Sequence, residues 1–344
     1  MPERLPADPP KKMAERGNSF RLRPKTMPRR FSIIIVHRNG AHMLRQALTA
    51  LHAACDNARD QVFVVDNGSS DDSTTEAARF AAVQLIRNTC NNGFARACNQ
   101  GIAAADGEFI LLLNNDAFLA PDTLDRFEAV YRRHPRAAVV AGQLLDTEGR
   151  PQRSAGYVPT AMDELGLGFL RRRPRVPKIE GLTQVESVVG ACMAIRASAI
   201  REAGSLDNDF FFYYEETEWC HRLRAYGWQV YVEPAARVTH LKGASSRGVK
   251  RRGAQIEMLR SRLMFYRKTM PAPVAVLVVF NRLVRLLLNT VINLLATILT
   301  LGIHARLREK LLIYLLQIAW LLRGCPEHWG LPQKCLRKST VNLS

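Results

Sequence analysis

Phe109-Ile110-Leu111-Leu112-Leu113-Asn114-Asn115-Asp116 decides how this chain is read. Five apolar residues in succession suit a strand buried on both faces, as in a largely parallel sheet. The run then stops at two amides and a carboxylate. In open α/β sheets, ligands gather just beyond the carboxyl ends of the strands. Oxygen ligands placed there suit Mg²⁺ or Mn²⁺, and a diphosphate can complete the shell. The other reading of the same residues is a strand closed by an Asn-Asp turn. What separates the two is the pattern on either side.

Upstream, Phe31–Val36 and Gln61–Val65 are β-branched strand runs, and Val83–Arg87 is a third. Helices are expected at Met43–Ala54, Ser73–Phe80 and Ala95–Ala105, with Ser70 or Asp71 capping the second. Downstream, a helix beginning near Pro121 runs to His134, and Ala137–Ala141 is a strand. Strands alternating with helices at this spacing predict βαβ units and a doubly wound, mainly parallel α/β sheet. Three strand ends carry acid or amide clusters: after Val36, after Val65 (Asp66-Asn67-Gly68-Ser69-Ser70-Asp71-Asp72) and after Leu113. The topology gathers them on one edge, which is a stronger signal than any one cluster.

The stretch at 142–182 is less regular and includes the basic run Arg171–Arg175. Regular structure resumes at Val185–Val189, followed by Gly190–Arg196 and a short helix near Ala197–Ala203. Phe210-Phe211-Phe212-Tyr213-Tyr214 then runs into Glu215-Glu216 at the start of a helix reaching Tyr226, which Gly227 ends. Acids there are stabilised by the helix dipole. The aromatics before them would leave them partly desolvated, and a desolvated carboxylate with a raised pKa suits a general base. Short strands are expected at Trp228–Val232 and Arg237–His240.

Taken as an ordered set, these segments resemble the family 2 glycosyltransferases of the GT-A (Rossmann-like) fold, in particular their bacterial rhamnosyltransferase-like branch. The matching pieces are Phe31–Gly40, Val62–Asp72, Asn91–Ile102, Leu111–Leu119, Gly190–Arg196 and Phe210–Ser245, so the resemblance covers about residues 31–250. It implies an inverting, metal-dependent transfer of a sugar from a UDP- or dTDP-sugar to a saccharide or lipid-linked saccharide, in cell-surface polysaccharide synthesis. Asp66 is implied to read the base and ribose. Asn92, Gly93 and Phe94 are implied to lie beneath the nucleotide-sugar, with Gly190 also at the donor. Asn115 and Asp116 fall on the DxD-type motif, with Asp116 as metal ligand and His240 beside it; the cofactor is Mg²⁺ or Mn²⁺. Glu216 stands at the catalytic base position and Glu215 is its more structural partner. The sequence departs from the family in two places: His37 stands where Asn is common, and Glu215-Glu216 replaces Glu-Asp.

Composition sets the outer bounds. The chain has 344 residues, 47% hydrophobic, with net charge +18 and pI near 10.1. Such charge implies anionic partners: nucleic acid, anionic lipid or phosphate-rich substrates. Seven scattered cysteines with no Cys-x-x-Cys pair predict a reducing compartment, without structural zinc or a disulfide frame. Residues 1–30 read as a disordered basic tail with no signal-type apolar run. Residues 31–250 read as the transferase domain and 251–344 as a basic, amphipathic helical region.

Leu241–Met270 is very basic, with Glu257 as its single acid, and apolar residues then dominate to about Leu322. Leu286–Ile303 approaches the ~20 residues of a membrane span. Yet Arg282, Arg285, Asn289, Asn293, Thr297, Thr300 and His304 recur every three or four residues as a polar stripe. That favours helices lying in the interface, or packed with polar faces inward, over a lone span. The basic block would attract anionic lipid, placing the protein at the cytoplasmic face of the plasma membrane, peripheral or integral. A helical hairpin packed within a soluble oligomer is the alternative. Among functions, a nucleotidyltransferase shares the sheet and the acids but not the Gly190–Ser245 segment. A nucleic-acid-binding protein would explain the charge, but no zinc-finger, RRM-like or helix-turn-helix signature is present, so no nucleic-acid partner is expected.

Overall fold

The computed structural model describes residues 29–171, 174, 176–241, 250–331 and 334–335. The expected tail before residue 29, most of the basic run at 171–175 and the basic residues at 242–249 lie outside the described residues.

Strand and helix alternate from the start: β1 (Phe31–His37), α1 (Ala41–Ala54), β2 (Gln61–Asn67), α2 (Ser73–Ala78), β3 (Val83–Asn88), α3 (Phe94–Ala104) and β4 (Phe109–Asn114). A three-residue β5 (Ala117–Leu119), α4 (Thr123–Arg133) and β6 (Ala137–Leu145) follow. The middle holds β7 (Ala155–Gly156), α5 (Ala161–Glu164), a 3₁₀ turn (Gly168–Arg171), β8 (Thr183–Gln184) and β9 (Ser187–Val188). Then come β10 (Cys192–Arg196), α6 (Ala197–Ala203), α7 (Glu215–Ala225) and β11 (Gln229–His240). Three long helices close the chain: α8 (Lys250–Thr269), α9 (Ala272–Leu299) and α10 (Ala305–Leu322).

The main sheet runs β3-β2-β1-β4-β10-β6-β11-β5, with β8 paired to β11. β3, β2, β1 and β4 are parallel, β10 is antiparallel to β4 and β6, and β5 is antiparallel to β11. Successive strand residues feed opposite faces. Ile33, Ile35, Leu111 and Leu113 pack with Leu44, Leu48 and Phe127 of α1 and α4. Ile34, Ile110 and Leu112 pack with Cys98, Ile200, Trp219 and Leu223 of α3, α6 and α7. Both faces are therefore covered, which is why these strands read as unbroken apolar runs.

The structure differs from the expectations in several places. The two strands expected at 228–232 and 237–240 are one, β11. Pro234 cannot donate to the ladder, and the strand passes it through a register shift between Glu233 and Arg237. Gly142 lies under that irregularity, where a Cβ would come within 2.4 Å of Ala236 O. Arg30, expected in the tail, is buried and paired with Asp60 and Glu128. The expectation of no disulfide is overturned: Cys90 and Cys335 are bonded, 245 residues apart. A pair so separated leaves no spacing signal, because only the tertiary fold brings it together. Cys335 N–H also donates to Asn91 O at 2.9 Å. The expected boundary at residue 250 falls at the start of α8, whose Phe265 and Tyr266 share a cluster with Val158, Phe210 and Val278.

Candidate active site at the carboxyl edge of the sheet

Register alone brings the expected residues to one edge. His37, ending β1, pairs with Asp66 of β2, and Val36 pairs with Asn114 of β4. Asn115 and Asp116 follow directly. β10 runs the other way, so its start meets the end of β4, with Asn114 N–H donating to Ala191 O at 2.9 Å. Gly190 thus sits at the same edge. A Cβ on Gly190 would lie 3.6 Å from Glu216 Cβ and Cγ, which places Glu216 over it. His240 pairs with Ala117 across β11 and β5, and Leu241 N–H donates to Asp116 O, so the imidazole faces Asp116.

Asp66 and Asp116 are both nearly fully buried, at 4% and 3% exposed. Ser69 N–H is 3.3 Å from either Asp66 oxygen. His240 Nε2 lies 3.5 Å from Asp116 Oδ1. That is longer than a strong hydrogen bond and leaves the two groups facing one another. A carboxylate beside an imidazole suits Mn²⁺ better than the oxygen-seeking Mg²⁺, with diphosphate and water to supply the other positions.

The loop after β3 is tied down on both sides. Asn92 N–H donates to Asn67 Oδ1 (3.0 Å), and Asn67 Nδ2 donates to Asn91 Oδ1 and Gly93 O. Gly93 has φ +86°, and a Cβ there would meet Phe211 O at 2.7 Å. Phe94 N–H donates to that same oxygen. The expected donor loop and the aromatic segment before Glu215 are therefore one packed unit.

Tyr213 and Tyr214 both have positive φ, 72° and 69°, an unfavourable backbone for such residues. α8 holds them there: Ser261 Oγ donates to Phe212 O, and Arg262 Nε donates to Tyr214 OH at 2.7 Å. The turn delivers Glu215 and Glu216 to different surroundings. Glu215 is buried, and its Oε2 has no partner among the described residues. Burial first, then the neighbouring Glu216 charge, pushes it well above the usual carboxyl range. Glu216 is half-buried. Burial raises it too, opposed by N–H groups of the helix start and by the Arg153 guanidinium. Glu215 is therefore the harder of the two to ionise and Glu216 the more readily ionised.

His37 is buried between β2 and β4, and burial lowers its pKa to about 4. Asp71 is pushed up by burial, but hydrogen bonds from Ser73, Gly40 and Ala41 prevail and bring it to about 2. Three residues at this edge carry no signal of their own in the sequence. Arg38 follows β1, and its buried Nε has no partner among the described residues. Asn67 is hidden inside a turn-like cluster, and Arg153 lies in an irregular stretch.

The model for Glycosyl transferase family 2 matches residues 32–204. Among known proteins, the chain is 28% identical over 237 residues to N-acetylglucosaminyl-diphospho-decaprenol L-rhamnosyltransferase of Mycobacterium tuberculosis, covering 62% of this chain and 76% of that one. It is 26% identical over 207 residues to the low-salt glycan biosynthesis hexosyltransferase Agl10 of Haloferax volcanii, covering 58% and 63%. Among solved structures, the mannosyltransferase PcManGT of Pyrobaculum calidifontis, in complex with GDP-Man and Mn²⁺, aligns over 87% of this chain and 88% of its own, with TM-score 0.52 and 16% identity. At that identity the likeness is one of fold, and the fold is GT-A.

Proposed function

This chain belongs to glycosyl transferase family 2, and on that premise we propose that it transfers a hexosyl or rhamnosyl unit from a nucleotide-diphosphate sugar to a saccharide or lipid-linked saccharide. The observation that carries the proposal is the single sheet edge where Asp66, Asn115, Asp116, Gly190 and Glu216 meet. Asp66 accepts hydrogen bonds from base and ribose, and the Asn92–Phe94 loop supports the donor. Arg38, beside Asp66 and with no Nε partner among the described residues, supplies positive charge toward the diphosphate. Asp116 and His240 would hold the divalent ion, with Asn115 alongside. When bound, such an ion offsets the charge that grows on the leaving diphosphate. Glu216 takes the proton of the acceptor hydroxyl, which attacks the anomeric carbon from the face opposite the leaving group, so configuration inverts. The matched relative acting on a decaprenol-linked substrate supports a lipid-linked acceptor.

Residues 31–250 make the transferase domain, with α8 packed against it, and α9 is the part that meets the bilayer. α9 is long and apolar enough to cross a membrane, and 22% of its most apolar stretch is buried. The C-terminal half of its polar stripe is satisfied within the helix, Asn293 Nδ2 donating to Asn289 O and Thr297 Oγ1 to Asn293 O, whereas Arg285 Nη1 donates to Glu164 O of α5. The helix lies along an anionic bilayer on the cytoplasmic side rather than crossing it, held also by the chain's strong positive charge.

The test is a thermal-shift and calorimetric screen of UDP-, dTDP- and GDP-sugars with and without Mn²⁺. A bound donor raises Tm by mass action. One nucleotide class should do so, and Asp116→Ala should remove the Mn²⁺-dependent part with the fold intact. No response to any sugar nucleotide, or unchanged Mn²⁺-dependent affinity in the variant, would count against this reading.

A further inference from the structure

His37 stands between the two strand ends that carry the expected ligands, and its ring is 1% exposed. It has a partner on each nitrogen. Nε2 lies 2.8 Å from Ser73 Oγ, and Nδ1 lies 2.8 Å from Asn115 Nδ2. Ser73 Oγ is hydrogen-bonded in turn to Asp71 Oδ1. The other Asp71 oxygen accepts the N–H groups of Gly40 (2.6 Å) and Ala41 (3.2 Å) at the start of α1.

The direction of every proton in this row follows from its far end. A carboxylate only accepts. Ser73 has one hydroxyl proton, and Asp71 takes it. Ser73 Oγ must then accept from His37, so Nε2 carries the ring proton. Nδ1 is left as a bare acceptor, and the Asn115 amide nitrogen donates to it. An imidazolium would instead set Nδ1–H against the amide N–H. The amide is thus held with its nitrogen toward His37 and its oxygen away. Among the described residues the Asn115 side chain bonds through Nδ2 alone, and its Oδ1 accepts no hydrogen bond.

We propose that His37 is a positioning residue: the row Asp71–Ser73–His37 fixes the Asn115 amide so that its carbonyl oxygen, beside Asp116, is the face offered to the donor. The proposal rests on the glycosyltransferase reading above. An amide flips readily between two faces of opposite character. Its oxygen accepts from an electropositive group, whether a divalent cation or a donor hydroxyl, while its nitrogen would repel a cation and favour an acceptor such as a phosphate oxygen. His37 selects between them without touching the donor.

Two measurements on the full chain test this. The first reads the row without any donor: ¹⁵N NMR of histidine-labelled protein, with the His37 signal assigned by its loss in His37→Asn. The expected state is neutral with the proton on Nε2. An Nδ1–H tautomer or an imidazolium at neutral pH overturns the proposal. The second is calorimetric titration of the donor found in the screen, in Mn²⁺ and in EDTA. His37→Ala should weaken affinity roughly tenfold, the scale of one hydrogen bond. His37→Asn places an amide oxygen where Nδ1 was and should stay within about threefold. In an Asn115→Ala background, His37→Ala should add nothing. A loss confined to Mn²⁺ identifies a cation as the partner of Oδ1, and a loss that persists in EDTA identifies a hydroxyl. Full additivity with Asn115→Ala, or a fall in Tm with affinity unchanged, overturns the proposal in favour of a merely structural histidine. If wild-type protein binds no sugar nucleotide while His37 shows the Nε2–H tautomer, the glycosyltransferase reading falls and the row stands.

Discussion

Glu215 and Glu216 are neighbours in the chain with opposite surroundings, and substitution should separate them. A base contact strengthens in the transition state, so its loss lowers turnover and spares ground-state binding. Glu216→Gln should lower kcat at least ~10²-fold with donor Kd nearly unchanged. Glu215→Gln should keep most turnover and instead alter how stability depends on pH. The Glu215 carboxyl is raised in the folded state above its ordinary 4.5, first by burial. The unfolded chain therefore loses this proton first. Its contribution to stability is complete below about pH 4.5 and declines as pH rises toward the folded pKa. Glutamine, always neutral, has no such decline, so the variant should gain Tm on wild type as pH rises above about 4.5. Parallel Tm curves, or turnover lost with Glu215→Gln and kept with Glu216→Gln, would reverse the two roles. At this scale Asp66, Asn115, Asp116 and Glu216 stand out in the sequence because each follows an apolar or aromatic run, whereas His240, after Arg237-Val238-Thr239, is singled out only by the family resemblance. Arg38, Asn67 and Arg153 do not stand out, since their place at the edge is set by strand register and loop packing, which leave no local pattern.

Between elements, the decisive joint is where the loop before α3 meets the aromatic segment before α7. Gly93 combines a left-handed backbone with a close approach to Phe211 O. Gly93→Ala should cost about 1–3 kcal/mol of stability and weaken donor binding, because the loop must leave Phe211 or Asn67. Gly190→Ala is the control: its Cβ would find only ordinary contact with Glu216 at 3.6 Å, so its cost should stay near ~0.5 kcal/mol. Chemical denaturation of both variants checks the pair, and equal losses would mean that the joint is not special. The alternation of strand and helix up to β6 is legible because strands covered on both faces are unbroken apolar runs. β5 is too short to carry a pattern and exists through its pairing with β11. β11 reads as two strands because Pro234 interrupts the ladder, and only the room left by Gly142 lets the chain continue.

Across the whole molecule, α8 to α10 are built from the inside outward. α8 packs its Phe265 and Tyr266 against the aromatic segment before Glu215, whereas α9 exposes Leu288, Ile292, Leu295 and Leu299. The first three are 54–61% exposed and Leu299 is 83% exposed, and they recur every three or four residues on one face. The stripe of polar residues along α9 is legible in the sequence; what it does is not, because i−4 hydrogen bonds satisfy its C-terminal half equally in water, lipid or a helix interface. Exposure decides more, since a contiguous apolar surface on a folded monomer marks a place of contact. α8 holds the turn before Glu215 and Glu216, so deleting the chain from α8 onward would confound docking with folding. Leu288→Glu, Ile292→Glu and Leu295→Glu together leave α8 untouched and place charges where the bilayer would lie. The triple variant should keep the wild-type Tm and its turnover on a soluble acceptor, yet lose sedimentation with phosphatidylglycerol vesicles. Wild-type protein bound to those vesicles should be extracted by alkaline carbonate, as a helix lying on the surface is. Resistance to extraction would make α9 a span, and equal sedimentation of the triple variant would move the docking surface elsewhere.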